Sequence, residues 1–147
     1  MQLKTLLSKI DIAKYCKNAQ QRLDFNSTNL IDDIFEKIQK NHHIAIILDE
    51  KNQEIIGAIA CKIEHDFFCN KNCEILDFYI SNAHNENTIM QLLNDWLNEI
   101  CRQFLCQKII FESLTKNKIE HKLFLSEKFI LEKFYLLFIF LYIYNIF

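Results

Sequence analysis

The feature that most constrains the fold is an amphipathic segment between two short, largely apolar runs. From Ile89 to Phe104, apolar residues recur three and four positions apart over four turns, which is the pattern of a helix with one buried face. The flanking runs, Glu74 to Ile80 and Ile109 to Leu114, are too short for helices and are typical of strands. A strand, a helix and a further strand in this order predict a sheet with a helix packed on its face.

The residues before this unit predict two helices and a hairpin. Residues 3–23 have helical character, and a second helix follows a cap at 26–28 and runs to Lys40. Ile44 to Leu48 and Ile55 to Ile63 flank a polar turn, which predicts two antiparallel strands.

The residues after this unit predict one more helix and further strand material. A short helix is expected to end near Glu127, and the sequence from Phe129 onward is apolar and strand-like. The complete order predicts an α/β fold with a mixed, mostly antiparallel sheet flanked by helices.

Composition favours one globular domain spanning residues 1–147, close to average in its content of charged and apolar residues. The formal net charge of -2 gives no reason to expect nucleic acid or a membrane as partner. The first residues lack the pattern of a secretory signal, so the six cysteines are expected as thiols in a reducing, cytoplasmic compartment. His65, Cys69 and Cys73 do not have the spacing of a zinc site, and no metal is expected.

Glycine and proline are scarce, which limits how loops can be built. The chain has one glycine, Gly57, and no proline. Turns and any anion-binding loop must therefore rely on asparagine, the next residue most tolerant of left-handed backbone.

Four segments carry a resemblance to a known family. Gly57 lies early in the second hairpin strand, and Leu76 to Ile80 has the alternation of a strand that leads into a loop. Ile109 to Asn117 resembles the family segment written xLxVxxxN, and Asn117 begins the spacing N-x-x-A-x-x-L-Y-x-x-x-G-F, with Phe124 at the tyrosine position. In order and spacing, residues 30–135 resemble the GNAT superfamily of N-acetyltransferases.

The resemblance implies a GNAT-like fold, acetyl-CoA as cosubstrate and a small-molecule or peptide amine as acceptor. The family's phosphate loop, Q/R-x-x-G-x-G/A, falls on His84 to Ile89, at the start of a helix whose amides would bind pyrophosphate. The cofactor contacts that it implies are Phe78, Tyr79, Ile80, His84, Asn85, Asn87, Thr88 and Asn117.

The loop departs from the family pattern. The glycine positions of the motif fall on Asn87 and Ile89. Asn85 and Asn87 could adopt positive φ in place of glycine, and His84 could stand in for the usual arginine. Ile89 would add a side chain where close approach is wanted, and Glu86 would add negative charge. Weaker cofactor binding follows from these changes.

The catalytic positions also depart from the pattern. Phe124 stands where many members have a tyrosine, and a phenyl ring cannot donate a proton. By analogy, Glu74 and Asp77 are the best-placed carboxylates to deprotonate the amine, although strand carboxylates often simply face solvent. The alternative to an N-acetyltransferase is therefore a catalytically impaired binding or regulatory protein.

The C-terminal run from Phe134 to Phe147 is almost wholly apolar and is shorter than a membrane-spanning helix requires. Its β-branched and aromatic residues favour strand material that completes the sheet. One alternative is an edge that pairs with a second subunit, giving a homodimer through the C-terminal strands. The others are a tail-anchor-like segment, if Phe129 to Leu131 is counted in, and a drifted reading frame whose tail is not native to the family.

Overall fold

The structure is a computed structural model that describes residues 1–15, 30–82 and 84–111. In chain order its elements are β1 (Gln2–Thr5), a helical stretch α1 (9–15), α2 (Leu30–Lys40), β2 (His42–Leu48), β3 (Ile55–His65), β4 (Lys71–Ile80), α3 (Glu86–Gln103) and β5 (Lys108–Phe111). The described strands form one five-stranded sheet in the order β1-β2-β3-β4-β5. Strands β4 and β5 are parallel and the other neighbours are antiparallel, which confirms the predicted mixed, mostly antiparallel sheet.

Helices cover both faces of the sheet. On one face, Leu93 and Leu97 of α3 pack with Ile47 of β2. On the other face, Ile12 of α1 packs with Ile46 of β2, and α2 adds partly buried residues. Successive strand residues point to opposite faces, and Ala45 to Leu48 of β2 are all buried. The strand is therefore covered on both faces, which explains the apolar run from Ile44 to Leu48.

The helix predicted for residues 3–23 is wrong at its start. Gln2–Thr5 forms the strand β1, paired antiparallel with β2 from Gln2 opposite Leu48 to Thr5 opposite Ala45. The helix begins at residue 9, where the Ser8 Oγ accepts a hydrogen bond from the Asp11 N–H at 3.2 Å. Pairing with the edge of β2 outweighs the local helical spacing, and the rest of the predicted segment, 16–23, lies outside the described residues.

The other elements agree with the sequence to within a few residues. The helix predicted to end at Lys40 and the three strands of the antiparallel group are confirmed, with β4 starting three residues earlier than expected. Strand β5 is confirmed through Phe111. The cap at 26–28, the helix ending near Glu127 and the run from Phe134 to Phe147, with the homodimer contact expected of it, lie outside the described residues.

No helix within the described ranges is both long enough and apolar enough to cross a membrane.

Candidate active site

The junction between β4 and α3 is a short loop, fixed at both ends. After β4 ends at Ile80, the Ser81 N–H donates to the Ile56 carbonyl at 2.9 Å, which ties the loop to β3. At the other end, Asn85 is the N-cap of α3, with φ −68° and ψ 98°, and its side chain accepts from the Thr88 N–H at 3.3 Å. The sheet therefore holds the first turn of α3 in place.

The two asparagines of this loop do not use the left-handed backbone that asparagine tolerates. Among the described residues other than glycine, positive φ occurs at Gln53, Cys69 and Leu105. The positive φ considered for Asn85 and Asn87 is therefore wrong. Asn85 stays in the extended region, from which its side chain caps the helix, and Asn87 lies inside the first helical turn.

Ile89 does not obstruct the loop, contrary to the expectation from the motif. Its side chain is fully buried in the core between α3 and the sheet. A β-carbon built on Gly57 would lie 2.6 Å from the Ile89 Cγ2, so the missing side chain of the only glycine makes room for Ile89. The amide face of the loop is left clear of the isoleucine.

The N-terminus of α3 has amides available for an anion. The Thr88 N–H is taken by the Asn85 side chain and the Ile89 N–H by the Asn85 carbonyl at 3.2 Å. Within the described residues, the N–H groups of Glu86 and Asn87 have no protein acceptor. Together with the helix dipole they can bind a phosphate, while the Glu86 carboxylate in the same turn opposes it.

His84 contacts a carboxylate that the sequence analysis did not identify. Its Nε2 lies 3.5 Å from the Asp49 Oδ2, and its Nδ1 lies 3.4 Å from the Ser81 Oγ. Asp49 begins the turn between β2 and β3, where the Lys51 N–H donates to its Oδ1 at 3.0 Å. That hydrogen bond, and then His84, hold the pKa of Asp49 below its usual value. His84 therefore links the loop to the turn between β2 and β3.

The two candidate bases on β4 have different surroundings. The Glu74 Oε2 lies 3.0 Å from the Lys62 Nζ, so this carboxylate is held in an ion pair on the sheet. Asp77 is exposed, and its Oδ1 accepts from the Phe78 N–H at 2.8 Å. At the usual rise of a strand, Asp77 lies roughly 13 Å from Ser81 along β4 and Glu74 roughly 23 Å.

A bulge in β4 separates these two carboxylates. The register shifts because Ala60 pairs with Asp77 whereas Cys61 pairs with Ile75, which leaves Leu76 as an extra residue. The described part of β5 pairs with β4 only from Asn72 to Ile75. The bulge therefore lies just beyond the described pairing between these strands.

The remaining predicted cofactor contacts are three residues on β4, together with Thr88 in α3 and Asn117. Phe78 and Ile80 pack against the core under α3, with the Phe78 ring 5.5 Å from that of Phe111. Tyr79 is exposed and pairs opposite Ala58. Thr88 is exposed in the first turn of α3. Asn117 and Phe124 lie outside the described residues.

The sequence matches the acetyltransferase (GNAT) family over residues 13–129. The chain therefore belongs to the GNAT acetyltransferase family. None of the curated proteins searched matches the sequence.

Solved structures with the same fold include several acetyltransferases. Glucosamine-6-phosphate N-acetyltransferase from Arabidopsis thaliana is 21% identical, with a TM-score of 0.62 over 83% of this chain and 89% of that one. The aminoglycoside acetyltransferase meta-AAC0020 from an uncultured soil metagenomic sample, in complex with trehalose, is 12% identical, with a TM-score of 0.67 over 85% of each chain. AAC(6')-Iy in complex with the bisubstrate analogue CoA-S-monomethyl-acetylneamine is 12% identical, with a TM-score of 0.66 over 86% of this chain and 89% of that one. At these identities the likeness concerns the fold alone.

Proposed function

We propose that this GNAT-family protein transfers the acetyl group of acetyl-CoA to an amine. Membership of the family supports acetyl transfer in general. The N-terminus of α3 supports acetyl-CoA as the donor. There the N–H groups of Glu86 and Asn87 have no acceptor among the described residues, and the Ile89 side chain is buried in the core. A pyrophosphate is the part of acetyl-CoA that such a helix end binds.

The rest of the donor follows from the geometry of β4. With the pyrophosphate at the α3 N-terminus, the amide-containing arm of CoA lies along β4 from Ile80 toward the bulge at Leu76. The described part of β5 pairs with β4 only from Asn72 to Ile75. Beyond that pairing, an extended arm with its own amides can lie beside β4 as an added strand does. This path brings the thioester toward Asp77.

The reaction is a direct transfer. An amine nitrogen attacks the thioester carbonyl, a C–N bond forms, the C–S bond breaks, and the products are the acetylated amine and CoA thiol. The ammonium must first lose a proton, and Asp77 is the base in this proposal because it is exposed near the thioester end. Glu74 is held by Lys62 and lies farther from the loop. Since Phe124 cannot donate a proton, the leaving thiolate takes one from water.

A second candidate is a CoA-binding protein of this family without catalytic activity. Phe124 in place of a proton donor and Glu86 beside the phosphate-binding amides favour it. Neither candidate specifies the amine acceptor. Solved structures of the same fold include an aminoglycoside acetyltransferase and a glucosamine-6-phosphate N-acetyltransferase.

A cytoplasmic location is also part of the proposal, and it rests on the sequence alone.

Calorimetric titration with CoA tests the binding site that both candidates share. Asn87→Asp places a negative charge at the first turn of α3 and is expected to weaken CoA binding about fivefold or more, equivalent to ~1 kcal/mol. Asn98→Asp is the matched control, because Asn98 is exposed on the same helix roughly 16 Å farther along. No CoA binding at millimolar concentration, or equal loss in both variants, contradicts the site. Acetyl transfer to a panel of amines then separates the enzyme from the binding protein.

A further inference from the structure

Two adjacent phenylalanines project into solvent from the turn between β3 and β4. Phe67 is 94% exposed and Phe68 is 80% exposed. Their rings contact each other edge to face, with centroids 5.6 Å apart. Adjacent large apolar side chains that no described residue covers form the kind of exposed surface that signals a binding role.

The turn that carries these rings is held in one conformation by Asp66. The Asp66 Oδ1 accepts from the N–H groups of Phe68 and Asn70, each at 2.9 Å. Its Oδ2 accepts from the side-chain amides of Asn70 at 3.2 Å and Asn72 at 3.4 Å. Cys69 completes the turn with φ 62°. The two rings are thus presented by a preorganised backbone, so little conformational entropy is lost when they insert into another phase.

The phenylalanine tip, Phe67 and Phe68, lies at the end of the sheet opposite the proposed CoA loop. Helix α3 has 18 residues and spans roughly 27 Å between these two ends. Leu105, at the C-terminal end of α3, is 81% exposed and lies at the same end as the tip. A ligand at the tip can therefore bind while the α3 N-terminus remains open.

The charges beside the tip favour an anionic surface. Lys71 and Lys108 begin neighbouring strands next to the turn, and no described carboxylate lies within ion-pair distance of either ammonium group. The carboxylates nearby are already engaged, Glu64 with Lys62 at 3.2 Å and Asp66 with the amides of its own turn. Asp66 keeps its negative charge, but both of its oxygens are bonded to amides of its own turn. The Lys71 Nζ lies 5.8 Å from the centroid of the Phe104 ring, and neither Lys71 nor Lys108 is paired with a described carboxylate.

The area of the tip argues against a folded protein as its occupant. Two phenylalanine side chains at these exposures present roughly 300 Å² of apolar surface, whereas a stable protein interface needs about 800 Å² from each partner. A bilayer sets no such minimum, since a few apolar side chains with neighbouring cations suffice for reversible binding. We propose that Phe67 and Phe68 insert into the interface of an anionic lipid bilayer, with Lys71 and Lys108 against the headgroups.

Vesicle co-sedimentation tests this proposal with the full chain. Wild type is expected to bind vesicles containing 30% phosphatidylserine, to bind pure phosphatidylcholine vesicles at least several-fold more weakly, and to dissociate as salt is raised. The double variant F67S/F68S is expected to lose binding at least tenfold with an unchanged melting temperature, because both rings are exposed. K71Q/K108Q is expected to lose binding to the anionic vesicles several-fold.

The matched control is L7S/I10S, which removes two side chains that are 67% and 81% exposed on another part of the surface. It is expected to bind the anionic vesicles as wild type does. Absence of binding by wild type, equal binding by F67S/F68S, or equal binding to neutral vesicles overturns the proposal. A dimer in solution that F67S/F68S abolishes, with no vesicle binding, overturns it in favour of self-association.

Discussion

Gly57 and Ile89 share one space in the core: a β-carbon on Gly57 would lie 2.6 Å from the Ile89 Cγ2. Gly57 is in β3, and Ile89 is in the first turns of α3. The φ of Gly57 is not positive, so glycine is needed there for its lack of a side chain and not for unusual backbone. The contact sets how closely the N-terminal end of α3 approaches the sheet, which is where the proposed CoA loop begins.

The first prediction is that Gly57→Ala lowers the free energy of unfolding by about 1–3 kcal/mol, because the added methyl group overpacks the site against Ile89. Ile89→Ala alone should lower it by about 2–5 kcal/mol by leaving a cavity. In the double variant, Ile89→Ala makes room for the alanine at position 57. The loss of unfolding free energy in the double variant should therefore be smaller than the sum of the losses in the two single variants. Urea unfolding of the four proteins in this cycle checks the prediction; strictly additive losses would show that the two residues are not coupled.

The elements that sequence predicted well are those specified by local periodicity. Helix α3 keeps one apolar stripe from Ile89 to Ile100, and β2 is apolar at every position from Ile44 to Leu48 because both of its faces are covered. Strand β1 was missed because its four residues depend on pairing with β2, about forty positions away, and not on any local signal.

The candidate site shows a similar division. Ile89 belongs to the same apolar stripe as Leu93, so periodicity already placed it in the core, whereas the motif alignment wrongly placed it in the loop. The contact between Asp49 and His84 joins two turns far apart in sequence. Because β2, β3 and β4 are antiparallel neighbours, the end of β2, the start of β3 and the end of β4 lie at the same end of the sheet. That topology could have predicted that Asp49 lies near the loop after β4.

A second prediction concerns Trp96, which is 8% exposed and whose Nε1 donates to the Thr5 Oγ1 at 2.9 Å. Trp96→Ala should lower the free energy of unfolding by about 3–5 kcal/mol, as for other large buried aromatics. Thr5→Val keeps the shape but leaves the indole N–H without its acceptor, which should cost about 1–3 kcal/mol. Thermal and urea unfolding measure both losses. If Thr5→Val costs the same in the wild type as in a Trp96→Phe background, which lacks the donor, the hydrogen bond between α3 and β1 does not contribute.

A third prediction concerns pH. His43 is half-buried, with its ring 4.7 Å from that of Phe104, and burial, followed by His42, lowers its pKa. The unfolded chain therefore takes up a proton at higher pH than the folded chain does. Above the unfolded pKa of about 6.5 both states are neutral at this position, and stability falls as pH drops below that value.

His43→Gln should reduce this loss of stability, measured as the difference in unfolding free energy between pH 7.5 and pH 5.5. Burial also lowers the pKa of His42, so part of the pH dependence should remain in the variant and disappear when both histidines are replaced. The carboxylates with lowered pKa, such as Asp11 and Asp49, titrate below this window. An undiminished pH dependence in the double variant would rule out His42 and His43 as its source.

The last prediction separates the two candidate bases on β4 and depends on the proposed acetyl transfer. Asp77→Asn should lower kcat/KM by about 10²–10⁴-fold, the usual contribution of a positioned base, while CoA affinity by calorimetry stays the same. Glu74→Gln should leave kcat/KM within about threefold of wild type, because Glu74 is engaged by Lys62 at 3.0 Å. The reverse result would assign the base to Glu74 and would mean that the thioester lies deeper along β4 than the bulge at Leu76.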